Sequence, residues 1–250
     1  MNLSHVERYF ADFLSVMESG ADIKLHPGYT NKQGSVPSKI RLPKNLFIIG
    51  TVNIDETTYM FSPKVLDRAN VIEFRVVKEE MEHFLNLDCT LNLDALSGSG
   101  SSMSASFIDT ALRSPDELSG KSFVTNALLG FFEQLQTAGA EFGYRSAAEI
   151  VRFSAMINHI QPDWGVDHIM DAAIVQKLLP KVHGSRRKLE SVLKTLGGLC
   201  VTDPDKIEDY FNSRKEFWEI GKIHYPITLD KLKRMYKSLI ENGFTSFAEA

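Results

Sequence analysis

Polar residues suited to a phosphate site follow the first long apolar run of the chain. Residues 46–52 read Leu-Phe-Ile-Ile-Gly-Thr-Val, which predicts a buried strand ending at Asn53. Buried strands of α/β proteins place ligand-binding residues at their carboxyl ends. An amide is both donor and acceptor, so Asn53 could orient a water for attack on a γ-phosphate. The alternative is an asparagine that forms a turn after the strand.

Arg68 is the second candidate, because a planar guanidinium can bind phosphate oxygens in bidentate fashion. It ends a short predicted helix in which Ser62 is the N-cap and Pro63 the first residue. A second buried strand is predicted directly afterwards, at Val71–Val77. The alternative is a surface arginine near a helix C-terminus, where the helix dipole favours positive charge.

Arg186 and Arg187 form a third candidate group. They follow Ser185, which is a predicted N-cap with Glu190 as its capping partner, so both arginines fall in the first turn of a helix. Positive charge there opposes the helix dipole, which indicates an anionic partner. A solvated basic pair is the alternative.

The elements that would position these residues fall into three parts. Residues 1–87 begin with a helix over 3–19 that Gly20 ends, followed by a hairpin. Its two strands are predicted at Asp22–His26 and Ser38–Leu42.

The remaining two parts differ in composition. Residues 88–120 are rich in serine and glycine and predict a flexible linker or insertion. Residues 121–250 are predicted to be almost entirely helical. The predicted helices span 121–138, 146–160, 166–179, 185–196, 204–218 and 228–242.

Bulk composition excludes several classes of protein. The 250 residues carry a formal net charge of −4, so the chain lacks the overall excess of positive charge that is typical of nucleic-acid-binding proteins. The two cysteines, Cys89 and Cys200, do not suggest a disulfide framework, and the default expectation is a reducing cytoplasm. No apolar run approaches the roughly 20 residues that a membrane helix needs, so no membrane association is expected.

Taken in order, these motifs resemble the C-terminal part of a McrB-type or MoxR-like AAA+ ATPase. The Gly-Thr-x-Asn motif at 50–53 is similar to the sensor-1 strand end of that branch, and Leu-Asp-Arg at 66–68 is similar to its arginine-finger helix. Residues 142–149 and 178–190 resemble the helical lid. The resemblance implies a partial α/β P-loop NTPase (AAA+) core in residues 1–87 and an all-α lid domain with a tail in 121–250.

The resemblance also implies roles for individual residues. Asn53 would act as sensor 1 on the nucleotide of its own subunit, and Arg68 would act on the nucleotide of the neighbouring subunit. Many relatives carry further arginines beside this position, whereas Asp67 and Ala69 flank Arg68 here.

Other residues would have supporting roles. Arg187, or less well Arg186, matches the sensor-2 arginine of the lid, and Arg145 matches a lid position that faces nucleotide or a neighbour. Asp55 and Glu56 would orient the active-site loop or meet the next subunit, and a pair of surface acids is the alternative.

The phosphate-binding loop and the Walker-B acids of the family do not occur in this sequence. The single Gly-Lys-Ser, at 120–122, has Pro115 where a Walker-A loop needs glycine, and it follows the sensor strand instead of preceding it. The resemblance implies that the intact protein uses ATP or GTP with Mg²⁺. The 250-residue chain alone is expected to hold no cofactor and to be inactive.

The implied partners are other ATPase subunits in a ring, expected to be a hexamer, with a McrC-like nuclease subunit and, through it, DNA. Hydrolysis would then drive remodelling or DNA restriction. One alternative is a non-enzymatic module that packs on another ATPase subunit through an exposed strand edge. Another is a helical nucleic-acid binder that uses Lys181, Arg186, Arg187 and Lys188, against which the acidic net charge argues.

Overall fold

A computed structural model describes residues 10–27, 36–52, 61–86, 92–115, 117–118, 120–212 and 221–250. The chain divides into two compact units. The first comprises Met1–Leu42, Ile49–Val71 and Pro115–Ala250, and the second comprises Pro43–Ile48 and Ile72–Ser114.

The first unit begins with helix α1 (Ala11–Ser19), which stops at Gly20 as predicted. Gly20 has a φ of 62°, in the left-handed region that glycine adopts without steric cost, and its N–H donates to the carbonyl of Val16 at 2.8 Å. A helix stop of this kind is encoded locally, which explains why the sequence predicts it.

The hairpin that the sequence predicts after α1 is confirmed. Strands β1 (Asp22–Lys24) and β2 (Lys39–Arg41) pair antiparallel, with Asp22 opposite Arg41. The Asp22 carboxylate binds Lys39 at 3.2 Å and Arg41 at 3.0 Å, and these hydrogen bonds lower its pKa. The cross-strand charges therefore support this register.

The two buried strands predicted around the candidate residues are not formed. Residues 46–52 and 71–77 have no regular secondary structure, and they lie largely on the surface. Ile49 is 90 % exposed and Phe74 is 92 % exposed. A strand needs neighbouring strands that satisfy its N–H and C=O groups, and none pairs with these residues in the described parts of the chain.

The short helix before Arg68 does form. Helix α2 (Pro63–Leu66) starts after Ser62, whose carbonyl accepts from the N–H of Val65 at 3.0 Å. Pro63 occupies the first helical position, where its missing N–H has no intrahelical partner to lose. Leu66 is buried and anchors the helix.

The second unit contains two helices, α3 (Lys78–Asn86) and α4 (Ser104–Leu112), with 3₁₀ turns at Leu93–Leu96 and Ser101–Met103. Phe47 packs edge-on against Phe107, with ring centroids 4.9 Å apart. Helix α4 lies inside the segment that the sequence predicts as a linker. Serines at its start are typical of turns, so the pattern gave no helical signal.

The rest of the first unit is a helical bundle that closely follows the predicted boundaries, except that residues 213–218 of the helix predicted at 204–218 lie outside the described residues. Its helices are α5 (Lys121–Thr137), α6 (Tyr144–Ile160), α7 (Val166–Ala173), α8 (Arg186–Gly198), α9 (Ile207–Asn212) and α10 (Pro226–Asn242). Apolar residues from each of these six helices meet in one core. Its fully buried members include Leu135, Ile150, Met170, Leu178, Leu193, Leu232 and Leu239. Periodic apolar positions thus bury a continuous face of each helix.

Two features of the bundle have no counterpart in the sequence prediction. Helix α7 continues into a π-turn (Ile174–Leu178) and a 3₁₀ turn (Leu179–Lys181). The strands β3 (His183–Ser185) and β4 (Phe244–Ser246) then pair antiparallel. β3 leads directly into α8, so this pairing fixes the start of the helix that carries Arg186 and Arg187.

A buried aspartate from α7 caps the last long helix. Asp171 is 1 % exposed, and its carboxylate accepts from the backbone N–H groups of Ile227 at 2.8 Å and Thr228 at 2.7 Å. These are the second and third residues of α10, the donors that an N-cap side chain normally satisfies. Burial raises the pKa of the Asp171 carboxyl.

Candidate functional site

Three of the predicted site residues, Asn53, Asp55 and Glu56, lie outside the described residues. The others fall in the first unit. The roles assigned to all of them stay predictions.

Arg68 follows the short helix α2 and is largely buried, with 23 % of its side chain exposed. Its Nη1 donates to the carbonyl of Lys64 at 2.8 Å, and its Nη2 forms an ion pair with Glu18. The arginine is therefore held in one orientation, and its buried Nε–H has no acceptor among the described residues.

Glu18 brings two of the predicted residues together. Its second carboxylate oxygen forms an ion pair with Arg145, at the start of α6, while the first binds Arg68. Both guanidinium groups thus converge on a single carboxylate from the last turn of α1. Sequence analysis missed Glu18 because a glutamate on an amphipathic helix gives no local signal of such a contact.

Two lysines fasten the segment after α2 to the bundle. Lys177, from the π-turn, is 3 % exposed, donates to the carbonyl of Ala69 at 3.1 Å and forms an ion pair with Glu149 of α6. Lys181 forms an ion pair with Asp67 and donates to Ser146 at 3.0 Å. Buried lysines are rare unless paired, so these contacts are specific features of the site.

The backbone adds a further link at the same place, since the N–H of Val71 donates to the carbonyl of Gln176 at 2.9 Å. Single π-turns inside helices are frequent at functional sites. Here the π-turn carries both Gln176 and Lys177 and turns them toward the segment that holds Arg68.

A cavity of about 380 Å³ opens beside Arg68. Its walls are the segment after α2, the middle of α6, and the end of α7 with the π-turn. The lining residues are Arg68, Asn70, Glu149, Ile150, Arg152, Phe153, Met156, Ala173, Gln176 and Lys177. No sequence pattern indicates this cavity, because its walls come from three separate segments.

The capping pair predicted at α8 is not formed. The side chain of Ser185 makes no capping hydrogen bond, and Glu190 instead accepts from Arg186 Nε at 2.8 Å, one helical turn away. Glu190 lies too far along the helix to reach back to Ser185, since a capping partner stands three residues after the cap. The ion pair lowers the pKa of Glu190 and raises that of Arg186.

Arg187 is exposed in the first turn of α8, next to Arg186. Neither arginine forms a hydrogen bond or ion pair with Arg68, Arg145 or Glu18 in the described residues. The structure therefore joins Arg68 with Arg145 and leaves the α8 arginines without a direct link to them.

Other kinds of site find no support in the described residues. No group of His, Cys, Asp and Glu there is arranged to hold a metal ion. Lys121 begins α5 after Gly120, but none of the described residues directly before it forms a strand, so the Gly-Lys-Ser at 120–122 lacks the setting of a phosphate-binding loop. Cys200 is a buried thiol whose pKa burial raises well above its usual value, as expected of an unreactive cysteine.

Among the described helices, none combines the length and the apolar character that crossing a bilayer demands.

Comparison with known proteins gives one match. No curated protein and no solved structure is similar to this chain. A family model with the description "Domain of unknown function (DUF8727)" matches residues 97–244, which include α4 and the helical bundle up to the start of β4. The match covers more than half of the 250 residues, so the chain belongs to the DUF8727 family.

Proposed function

We propose that this chain is the sensor, arginine-finger and lid portion of a McrB-like AAA+ NTPase. The assembly would couple ATP or GTP hydrolysis to remodelling, or to DNA restriction with a nuclease partner. The observation that carries the proposal is the setting of Arg68. A short helix delivers it, and two buried or largely buried lysines fasten the segment that follows to the helical bundle.

The contacts of Arg68 support a role on phosphate. Guanidinium groups bind carboxylates and phosphates through the same fork of N–H donors. Arg68 and Arg145 share the carboxylate of Glu18, so this pair already binds an oxyanion group. A phosphate presented by a neighbouring subunit would compete with Glu18 for Arg68, and the positive charge of Arg68 would stabilise charge that develops during phosphoryl transfer.

Lys177 and Lys181 would make the segment that holds Arg68 move together with the lid. Both bind residues 67–69 directly, and both lie in the turns that directly follow α7. A movement of α7 would therefore displace Arg68 through these contacts. This coupling supports the assignment of the helical bundle as a lid.

The described residues do not form a nucleotide site by themselves. Their Gly-Lys-Ser lacks a strand that leads into it, and Arg68, Arg145, Lys177, Lys181 and Arg186 are already engaged with carboxylates, whereas Arg187 is exposed. A phosphate cradle would have to come from a P-loop outside this sequence. What this chain would supply is the charge of Arg68, with Asn53 and Arg187 as the residues that the resemblance assigns to the nucleotide.

The test is NTPase activity of the assembly that copurifies from the native host with an affinity-tagged copy of this protein. Arg68→Ala should lower the rate by about 10³–10⁵, the range for arginine fingers, and Arg68→Lys should recover little because it loses the bidentate fork. Lys64→Ala, an exposed change in the same helix, is the matched control and should leave the rate unchanged. Wild-type rates for Arg68→Ala would refute the proposal.

Mixing variants tests the role of Arg68 in the neighbouring site. Asn53→Ala subunits and Arg68→Ala subunits should each be inactive alone. In a head-to-tail ring, random mixing places an intact Asn53 opposite an intact Arg68 at about one interface in four, so the mixture should regain activity. No recovery from a mixture that assembles normally would contradict action in trans.

A second candidate function is a non-enzymatic module that packs on another ATPase subunit. The segment after Val71 favours it, since it belongs to neither described sheet and Ile72, Phe74 and Val76 are 63 %, 92 % and 69 % exposed. Alternating exposed apolar residues are suited to adding a strand to another sheet. Phe74→Asp should then abolish association measured by light scattering, while Asn53→Ala and Arg68→Ala leave the NTPase rate of the assembly intact.

A further inference from the structure

The four residues that follow β4 lie against helix α10 and bind two of its cationic side chains. Lys231 Nζ donates to the backbone oxygen of Ala250 at 2.8 Å, and Arg234 Nη1 donates to the same oxygen at 2.5 Å. Phe247 is 6 % exposed and belongs to the core of the bundle. Residues 247–250 thus form a strap on α10 that is attached at both of its ends.

The surroundings of Lys231 make this attachment stronger than a surface contact. Lys231 is 1 % exposed, and its Nζ lies 4.2 Å from the centre of the Phe247 ring. Lysine is almost never fully buried unless its charge is paired, because a buried charge that loses its partner is costly. A charged hydrogen bond and a cation–π contact, both shielded from water, therefore hold the strap on the helix.

The second cation, Arg234, is fixed from its other side. Its Nε donates to Asp230, one helical turn earlier, at 3.1 Å, and its side chain is 20 % exposed. Lys231 and Arg234 lie three residues apart in the middle of α10, so they project from the same side of the helix. The strap is therefore bound to a regular helix and not to a loop.

The strap continues from a strand that contacts the start of α8. Ser246 of β4 is buried and pairs with His183 of β3. At the other end of β4, the carbonyl of Gly243 accepts from the N–H of Arg186 at 2.8 Å. An unbroken series of contacts thus runs from α10 through the strap and β4 to the first turn of α8.

The β3–β4 pair is too short to be stable without such support. Each strand has three residues, and an isolated pair of strands is marginally stable in water. Its stability therefore depends on how β4 is anchored, and the strap supplies one anchor on α10.

We propose that the strap is a releasable latch for the start of α8. While residues 247–250 are docked on α10, β3 and the first turn of α8 are held in place, and when the strap detaches, both open with it. Proteins open locally in such cooperative segments without unfolding as a whole. Because Arg186 and Arg187 lie in that turn, release of the strap moves both cations. The latch goes beyond the proposed function, since it needs neither a nucleotide nor a neighbouring subunit.

Amide hydrogen exchange on the intact 250-residue chain, resolved by NMR, tests the latch. Lys231→Met keeps most of the bulk of the buried side chain and removes its charge and its hydrogen bond to Ala250. Exchange of the Arg186 amide and of the β3 amides should become about tenfold faster, because the closed latch loses a charged hydrogen bond. Amides of residues 150–154, in the middle of α6, should exchange as in wild type.

A change on the strap side tests whether the two partners act through one contact. Phe247→Leu removes the ring that lies against Lys231. The double variant should accelerate exchange at Arg186 by less than the product of the two separate factors, because each change disrupts the same contact.

Lys237→Met is the matched control. It removes an exposed lysine of the same helix, whose ion pair with Glu241 lies at the surface, and exchange at Arg186 should stay as in wild type. Thermal melting verifies that each variant folds. If Lys231→Met does not fold, Arg234→Gln replaces it, since this change removes the other donor to Ala250 from a partly exposed side chain.

The proposal is overturned if faster exchange stays confined to residues 247–250, because the strap would then not control α8. It is also overturned if exchange accelerates equally at residues 150–154, which would show a general loss of stability, or if Lys231→Met exchanges like Lys237→Met. These measurements involve no NTPase assay, so this proposal and the proposed function can fail separately.

Discussion

Replacing Asp171 with alanine would remove the side chain that caps α10. Two backbone donors, the part-buried N–H of Ile227 and the buried N–H of Thr228, would lose acceptors that now lie at 2.8 and 2.7 Å. A buried donor left without a partner costs about 1–3 kcal/mol, and loss of a helix cap about 1–2 kcal/mol, two descriptions of the same contacts. Relief of the buried carboxylate offsets part of this, so we expect a net loss of about 1–2 kcal/mol in the free energy of unfolding.

Urea unfolding followed by far-UV circular dichroism measures the effect, and the melting temperature should fall by about 2–8 °C. Asp167→Ala, one turn earlier on α7, is the matched control. Asp167 contacts His224 at 3.3 Å, and both side chains are 30 % exposed. Such a pair contributes about 0–1 kcal/mol. If Asp171→Ala destabilised the protein no more than Asp167→Ala, the cap would not contribute as argued.

Two further changes test the packing and the titration of the bundle. A Cβ at Gly197 would lie 2.7 Å from the buried ring of Phe211, so Gly197→Ala should destabilise by about 1–2 kcal/mol in urea unfolding. Gly130→Ala meets Leu199 at an ordinary 3.7 Å and should instead stabilise by about 0.5–1 kcal/mol; equal signs for the two changes would contradict the packing. Burial raises the pKa of Asp171, so the native state holds that proton more tightly than the unfolded chain. The stability of wild type relative to Asp171→Asn should therefore fall as pH rises from about 4 to the raised pKa, and level off above it; a difference that rises over this interval would show the sign to be wrong.

Helix positions were predictable because their signals lie within the helix itself. The predicted helix at 121–138 corresponds to Lys121–Thr137, and that at 228–242 to Pro226–Asn242. Apolar spacing, a stopping glycine and a starting proline each act over one or two turns. The β1–β2 hairpin belongs to the same class, since its strands lie close together in the chain.

The predictions of strands at 46–52 and 71–77 were wrong for the opposite reason. Their apolar content suits a buried sheet, but a strand exists only where other strands accept its hydrogen bonds. Apolar composition cannot supply those neighbours. The same argument explains why the short β3–β4 pair was missed, since the paired residues His183 and Ser246 lie far apart in the chain.

The candidate site shows the same difference between features encoded locally and features that depend on distant segments. Local sequence signals suffice to place a short helix, begun by Ser62 and Pro63, just before Arg68, and to place Arg186 and Arg187 at the start of another helix. The contacts of these residues depend on the tertiary structure: Glu18 lies 50 positions from Arg68, and Lys181 lies 114 positions from Asp67. Helix propensity and capping act through neighbouring backbone groups, whereas ion pairs and cavities require segments that folding brings together from distant parts of the chain.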